Sequence, residues 1–116
     1  MPLDAKAYLA DMIAAAERIS AFTSGKTYED YLANDLLRSG VERQFEILGE
    51  ALRKLSELEP QMAARIPEYR RIIGFRNILV HGYASVDNWL VWGIVENKLP
   101  VLRASVASLV DNASNS

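Results

Sequence analysis

Residues 34–58 read NDLLRSGVERQFEILGEALRKLSEL, and this stretch decides the fold of the 116-residue chain. Apolar side chains recur in it at spacings of three and four residues, namely Leu37, Val41, Phe45, Leu48, Leu52 and Leu55. That spacing places them on one stripe of a helix with 3.6 residues per turn, while charged residues fill the other faces. The stretch therefore predicts one long amphipathic helix against which other elements can pack.

The N-terminal segment also has a helical period. It is expected to start near Asp4 and to bury a stripe made of Leu9, Met12, Ile13, Ala16, Ile19 and Phe22. The Ser-Gly-Lys sequence at 24–26 should end this helix. Thr27 and Asp30 then have the spacing of a capping box, with Asp in place of the usual Glu or Gln. This spacing predicts the start of a second helical stretch.

Two prolines shape the middle of the chain. Pro60 and Pro67 predict a connector after the long helix, because proline cannot sit in a helix interior without breaking it. The pattern becomes helical again over Tyr69–His81. Gly82 is placed to end that helix.

A last helix is expected in the C-terminal segment, started by Ser85 with Asn88 three residues later. Its inward-facing residues should be Leu90, Ile94, Leu102, Val106 and Leu109. Trp89 and Trp92 are also expected in the core, the alternative being a platform on which nucleic-acid bases stack. Pro100 should kink or split this helix near Glu96, because proline removes a backbone donor and clashes with the preceding turn. Residues 111–116 are predicted to form a frayed polar tail.

Together these patterns predict an all-α fold in a single domain spanning residues 1–116. Four or five helices with short connections favour an antiparallel up-and-down bundle, and no β alternation of useful length is present. The chain has no cysteine and one histidine. A disulfide framework, a thiolate nucleophile and a multi-histidine metal site are therefore excluded, and we expect neither a metal nor another cofactor.

The sequence also predicts where the protein works. The first helix carries acidic residues among its apolar ones and has no basic start followed by an apolar run, so we expect no signal peptide. The longest apolar run, at residues 89–95, is far shorter than the roughly 20 residues that span a bilayer. We therefore expect a cytoplasmic protein that has no contact with a membrane.

Charge is distributed unevenly along the chain. Residues 65–83 contain four arginines and one glutamate, a net charge of +3, whereas the remainder has nine basic and fourteen acidic residues, a net charge of −5. A basic segment in an acidic molecule suggests a local site for an anion. The alternative is that these arginines lie on a solvated helix face.

The only histidine lies in this basic segment, in the string GFRNILVHGY at 74–83. At about 100° per residue, Asn77 and His81 fall on nearly the same helix face. Arg76 and Tyr83 fall on another face, about 140° away from His81. The groups form one site if the helix ends near His81, if the long arginine closes the gap, or if a second protomer supplies the missing half. Alternatively, His81 is there for its interaction with the helix dipole.

The spacing Arg76, four residues, His81, one residue, Tyr83 resembles the motif of the HEPN superfamily, specifically its HepT toxin branch. Other strings resemble that family in order along the chain: Glu42-Arg43, Ile47-Leu48-Gly49-Glu50-Ala51, Ile66-Pro67, Arg76-Asn77, Val86-Asp87, Leu90-Val91-Trp92 and Leu99-Pro100. One position departs from the pattern. An aromatic residue commonly follows the Ile-Pro pair, whereas here Glu68 follows it and Tyr69 comes one residue later.

The resemblance implies a homodimeric helical bundle that cleaves RNA without a metal and is the toxin of a toxin-antitoxin pair. It implies a partner of the minimal nucleotidyltransferase type (MntA type) that transfers AMP from ATP onto the tyrosine of the motif. Carried over to this chain, Arg76 and His81 are the catalytic pair. Tyr83 is the modified residue.

Metal-independent RNA cleavage requires a general base, a general acid and a cation for the charge of the transition state. One histidine per chain does not supply both proton transfers, whereas two copies of His81 across a dimer axis do, with Arg76 binding the phosphate. Asn77 is placed to orient His81 or to bind the substrate, or is a surface amide. Tyr83 should be exposed just beyond the helix end, unless it packs on the last helix.

Two residues of the long helix admit two interpretations. Arg43 and Glu50 share a face and could line the same cleft as the motif. The other interpretation is that Gly49, Glu50 and Ala51 allow close helix packing, with Glu50 paired to an arginine.

A different class of function is also compatible with the sequence. The chain could be a non-catalytic helical subunit that binds the substrate of a small nucleotidyltransferase, with the basic segment holding a nucleotide phosphate. Toxicity separates the two hypotheses, because such a subunit need not harm the cell when it is expressed alone.

Overall fold

The computed structural model describes residues 2–82 and 86–114. Within these residues the chain forms seven helices and no strand. They are α1 (Leu3–Thr23), α2 (Tyr28–Ala33), α3 (Asp35–Leu58), α4 (Pro60–Ala63), α5 (Tyr69–His81), α6 (Asn88–Asn97) and α7 (Leu99–Ser114). The all-α bundle predicted from the sequence is confirmed, with five longer helices and two short ones in this part of the chain. None of these helices is both long and apolar enough to cross a membrane.

The long helix α3 is the centre of the bundle, as its periodicity predicts. Helices α1 and α5 both pack against α3, and α7 packs against α1 and α6. The residues of the predicted α3 stripe are buried from Val41 to Leu55, while Leu37 in the first turn is half-buried. One side of helix α5 therefore lies against α3, and its other side is exposed.

Three of the described helices, α2, α3 and α6, start at side chains that accept backbone hydrogen bonds. The capping box at Thr27 and Asp30 is present, with Asp30 N donating to Thr27 Oγ1 at 3.1 Å and Thr27 N donating to Asp30 Oδ2 at 2.9 Å. Asn34 caps α3 through its Oδ1. The predicted cap of the last helix was wrong, because α6 starts at Asn88 and its cap is Asp87, which accepts from two backbone N–H groups. Ser85 lies outside the described residues.

Pro100 splits the C-terminal segment as predicted. Helix α6 ends at Asn97 and α7 begins at Leu99, which leaves Pro100 in the first turn of the new helix, where it costs no hydrogen bond. Helix α7 then continues to Ser114 and so extends into the segment expected to be a frayed tail.

Three apolar residues predicted to be buried are exposed. Phe22 is 40% exposed in the last turn of α1, Leu90 is 50% exposed and Trp89 is 66% exposed. Trp92 is buried as predicted and packs its ring against Tyr31, with 5.3 Å between the ring centroids. Helix α6 is apolar on nearly all its faces, so its sequence does not distinguish the side that meets the bundle from the side that meets solvent.

The connector between α3 and α5 contains a helix that the sequence analysis missed. Pro60 opens α4, which is only four residues long and ends at Ala63. The connector ends at Glu68, which has a left-handed backbone with φ of 58°. Its carboxylate pairs with Arg71 at 3.0 Å and with Lys98 at 3.1 Å. The departure from the family pattern at this position is therefore a charged residue that ties α5 to the end of α6.

Candidate functional site

Helix α5 approaches α3 closely at Gly49. A Cβ built on Gly49 would overlap the Cβ of Arg76 and would lie 2.8 Å from its Cγ, so only glycine fits there without a shift of α5. This confirms the prediction that the Gly-Glu-Ala sequence of α3 serves close helix packing. It also means that the aliphatic part of the Arg76 side chain packs directly against the backbone of α3.

Two polar contacts hold the guanidinium of Arg76. Its Nη2 pairs with Glu50 Oε2 at 3.0 Å, and its Nη1 donates to Asn77 Oδ1 at 3.0 Å. Nε is buried and has no hydrogen-bond partner among the described residues. The side chain is 22% exposed. Arg76 therefore faces the junction of α3 and α5, as expected from its helical angle, with its terminal nitrogens at the edge of that junction.

Glu50 pairs with arginine, as one interpretation of the sequence predicted, but it pairs with two of them. Arg53 donates through Nη2 to Oε1 at 2.6 Å and through Nε to Oε2 at 3.2 Å, and Arg76 pairs with Oε2 as well. The hydrogen bonds from Arg53, together with the charges of Arg53, Arg76 and Lys54, lower the pKa of Glu50. Arg53 is itself bound to Glu57 at 2.7 Å. The result is a chain of alternating charges that runs along α3 and ends at Arg76.

A cleft of about 250 Å³ lies beside Arg76, between α1, α3 and α5. It is lined by Tyr8, Asp11, Arg43, Glu46, Ile47, Glu50, Ala51, Lys54, Arg76 and Val80. Arg43 and Glu50 thus line one cleft with Arg76, whereas Asn77 and His81 do not line it. Three basic side chains face three acidic ones in this lining. The cleft is therefore polar but balanced in charge, unlike a groove that follows a nucleic-acid backbone.

His81 and Asn77 lie on the outward side of α5, where both are exposed. His81 is the last residue of the helix, and its side chain forms no hydrogen bond or ion pair with the rest of the described chain. The amide of Asn77 binds Arg76 rather than His81. Ile78, between them, is 54% exposed. The structure therefore brings Arg76, Asn77 and Glu50 together and leaves His81 on a separate, uncovered face.

Two further predictions for the site concern the exposure of Tyr83 and the charge of the basic segment at residues 65–83. Tyr83 lies outside the described residues, so its predicted exposure stays a prediction. The basic segment is partly neutralised in the structure, because Arg71 pairs with Glu68 and Arg70 contacts the ring and hydroxyl of Tyr69. In the part of the chain that the structure describes, no three histidine or acidic side chains are grouped to hold a metal ion.

The sequence analysis did not identify Glu50 as the partner of Arg76. Helical periodicity assigns each residue to a face of its own helix, but it does not say which residue of a neighbouring helix lies opposite. A usable signal was the adjacent Gly49, because a glycine inside a long helix indicates a close approach by another backbone or side chain. That signal predicted the contact without predicting which arginine makes it.

Comparisons with known proteins identify the family of this chain. A family model described as ribonuclease HepT-like matches residues 12–109. A predicted RNase of Methanocaldococcus jannaschii is 33% identical over 103 residues, which cover 89% of this chain and 94% of the relative. A probable ribonuclease HepT of Thermococcus cleftensis is 32% identical over 104 residues, which cover 90% of this chain and 94% of the relative. No solved structure gives a significant match. The family model spans most of the chain, including every residue of the Arg76 and His81 region, and the protein therefore belongs to the HepT-like ribonuclease family.

Proposed function

We propose that the protein is a metal-independent endoribonuclease toxin whose active site forms between two copies of the chain. The proposal rests on the observation that α5 places Arg76 and His81 on two different sides. On one side Arg76 is held with its terminal nitrogens at the edge of a cleft, and on the other side His81 is exposed and unpartnered within the described residues. The names of the relatives, which describe RNases, support the reaction class.

The proposed chemistry uses these two groups and the substrate alone. One His81 takes the proton of the ribose 2′-hydroxyl, whose oxygen attacks the adjacent phosphorus. A second His81, protonated, gives its proton to the leaving 5′-oxygen, so the products are a 2′,3′-cyclic phosphate and a free 5′-hydroxyl. The Arg76 guanidinium binds the extra negative charge of the transition state. Since each chain contains one histidine, two copies are required.

The outward face of α5 supports a dimer. His81 lies five positions after Arg76 on the helix, which corresponds to about 7.5 Å of rise and about 140° of rotation. Ile78 is exposed on that face, and a Cβ on Gly74 would meet no atom of the described chain within 4 Å. A helix glycine costs about 0.5–1 kcal/mol relative to alanine, and no internal packing of the chain requires it here. A second copy of α5 approaching at Gly74 would use the missing side chain and cover Ile78.

Regulation is proposed through Tyr83, the tyrosine two residues after His81. A partner minimal nucleotidyltransferase would transfer AMP from ATP to the Tyr83 hydroxyl, with release of pyrophosphate. The new phosphodiester carries a negative charge, which would pair with Arg76 in place of an RNA phosphate. The bulky adenosine would also block access to His81. The toxin would therefore lose activity through charge and steric blockade together.

The central test compares RNA cleavage and growth arrest for the wild type and His81→Ala. We expect the wild type to cleave RNA in the presence of EDTA and to arrest growth, and His81→Ala to do neither while keeping its helical content. Loss of wild-type cleavage on chelation, with recovery on adding magnesium, would contradict the acid-base mechanism. A wild type that neither cleaves RNA nor harms the cell would favour the non-catalytic subunit of a nucleotidyltransferase.

The regulatory proposal has its own test. Co-expression with a neighbouring minimal nucleotidyltransferase should add one or more AMP units to the intact protein, mapped by mass spectrometry to the peptide that contains Tyr83. Tyr83→Phe should keep most of the ribonuclease activity, because the phenol takes no part in the proton transfers, and it should escape neutralisation. If active Tyr83→Phe is still silenced by the partner, inhibition works by binding and the modification claim is wrong.

A further inference from the structure

We infer that Glu50 is the positioning residue of the catalytic arginine: its carboxylate holds the Arg76 guanidinium in the orientation that binds the scissile phosphate. The inference rests on the proposed function of Arg76. It concerns a residue on a different helix, outside the Arg76 to Tyr83 motif.

The hydrogens of the guanidinium show how the contact can position Arg76 without consuming it. Each terminal nitrogen of arginine carries two hydrogens. Nη1 donates one hydrogen to Asn77, and Nη2 lies 3.0 Å from Glu50 Oε2 in an ion pair, which leaves at least one hydrogen for a ligand on each terminal nitrogen. Nε is buried and cannot reach a ligand. A phosphate can therefore bind at the two terminal nitrogens while both protein contacts remain in place.

Glu50 is itself held firmly enough to act as a support. Two nitrogens of Arg53 bind it at 2.6 and 3.2 Å, and Arg53 is anchored in turn by Glu57 one helical turn later. The Glu50 side chain is 29% exposed, so water competes with these contacts only in part. A carboxylate fixed by one arginine presents its remaining lone pairs to the other arginine in a defined direction.

The backbones of α3 and α5 are also held close together beside the contact between Glu50 and Arg76. The residue before Glu50 is Gly49, against which the Cβ and Cγ of Arg76 pack so closely that no side chain fits between α3 and α5. The stem of Arg76 is therefore positioned by packing and its head by charge. Without Glu50, the stem would stay in place, but the guanidinium would be free to turn about its outer bonds.

An inhibitory contact is the competing explanation, in which Glu50 occupies Arg76 until RNA displaces it. The geometry favours positioning, because each terminal nitrogen of Arg76 keeps a hydrogen for a phosphate, so RNA need not displace Glu50. The two explanations predict opposite changes in rate, so the test separates them.

The test measures kcat and KM for RNA cleavage in Glu50→Gln, Glu50→Asp and the matched control Glu42→Gln. Glu42 lies about two turns earlier on α3 and is half-buried like Glu50, but it does not line the cleft beside Arg76. We expect Glu50→Gln to lower kcat by roughly tenfold or more with KM changed less than about threefold, because a misplaced group costs mainly in the transition state. Glu50→Asp, which keeps the charge, should recover part of the loss. Glu42→Gln should behave as the wild type.

A second readout keeps the inference separate from the proposed function and from simple unfolding. Binding of a non-cleavable 2′-O-methyl RNA is measured for the wild type, Glu50→Gln, Arg76→Ala and the double variant, alongside their thermal melting. In line with the expected KM, we expect Glu50→Gln to weaken binding by less than about threefold in the wild-type background and to have no effect in the Arg76→Ala background.

Each outcome has a defined meaning. If the wild type cleaves RNA and Arg76→Ala does not, but Glu50→Gln equals the wild type or exceeds it, the positioning role is overturned and the proposed function stands. An equal loss of binding from Glu50→Gln in both backgrounds overturns it as well, since Glu50 then acts independently of Arg76. If Arg76→Ala matches the wild type in cleavage and in binding, the proposed function fails, and the positioning role fails with it. If Glu50→Gln does not fold, Glu50→Asp decides by the same criteria.

Discussion

The contacts of Arg76 determine how its substitutions should be read. Its stem packs on Gly49, its head pairs with Glu50 and it also binds Asn77. Complete removal of the side chain would therefore leave a gap between α3 and α5 and would take one of its two arginine partners from Glu50, as well as removing the proposed phosphate ligand. A substitution that keeps the stem and the charge isolates the chemical role.

Arg76→Lys is that substitution. We expect RNA cleavage to fall by roughly 100-fold, because lysine keeps one positive charge but lacks the planar pair of donors that binds a phosphate bidentately. Folding stability should change by less than about 1 kcal/mol, since an ammonium can still pair with the partly exposed Glu50. Single-turnover cleavage and chemical denaturation measure the two effects. A lysine variant as active as the wild type would show that Arg76 supplies only charge.

For single residues, the sequence predicted the helix face on which a side chain lies better than it predicted which residue that side chain contacts. The helical angle placed Arg76 away from Asn77 and His81, and the structure shows Arg76 at the α3 junction with the other two residues exposed. The angle did not predict that the amide of Asn77 would reach back to Arg76. Adjacent residues on a helix point about 100° apart, and only the length of the arginine closes that separation.

At the scale of helices, the predicted boundaries and burial were most accurate where the sequence distinguishes an apolar face from a polar one. Helices α3 and α5 have the boundaries that their apolar period and the flanking prolines and glycine predicted. Helix α6 was predicted less well. Its residues Trp89, Leu90, Val91 and Trp92 are consecutive and apolar, so burial of Trp92 and exposure of Trp89 depend on how α6 docks beside α2.

The contact between α3 and α5 should be sensitive to a single methyl group. Gly49→Ala is expected to destabilise the protein by about 1–3 kcal/mol, because the new Cβ would overlap the stem of Arg76 and force α5 outward. The matched control is Gly93→Ala in α6, where a Cβ would meet nothing within 4 Å of the described chain. That variant should gain about 0.5–1 kcal/mol from its higher helix propensity. Urea denaturation of both variants measures the difference, and equal behaviour would contradict the close approach.

At the scale of the whole molecule, one chain places Arg76 and His81 on different sides of α5, so it does not by itself bring the two side chains together. One chain holds Arg76 rigidly, and it presents one exposed His81 on another side of the same helix. The fold follows from helical periodicity, whereas a site shared between copies depends on how two surfaces meet. The sequence predicts that second arrangement only through its count of one histidine, because periodicity carries no information about a partner surface.

The final prediction is that the specific activity of the purified protein depends on its concentration. A dimer-shared site requires two copies of His81, so cleavage per chain should fall on dilution in step with the fraction of dimer measured by sedimentation or mass photometry. Gly74→Leu should shift both curves to higher concentration by the same factor, because a large side chain on the outward face of α5 would hold a second helix away. It should not lower the helical content of the monomer, since a Cβ at this position meets no described atom within 4 Å. Constant activity per chain in a preparation shown to be monomeric would contradict the shared site and would require one His81 to complete both proton transfers.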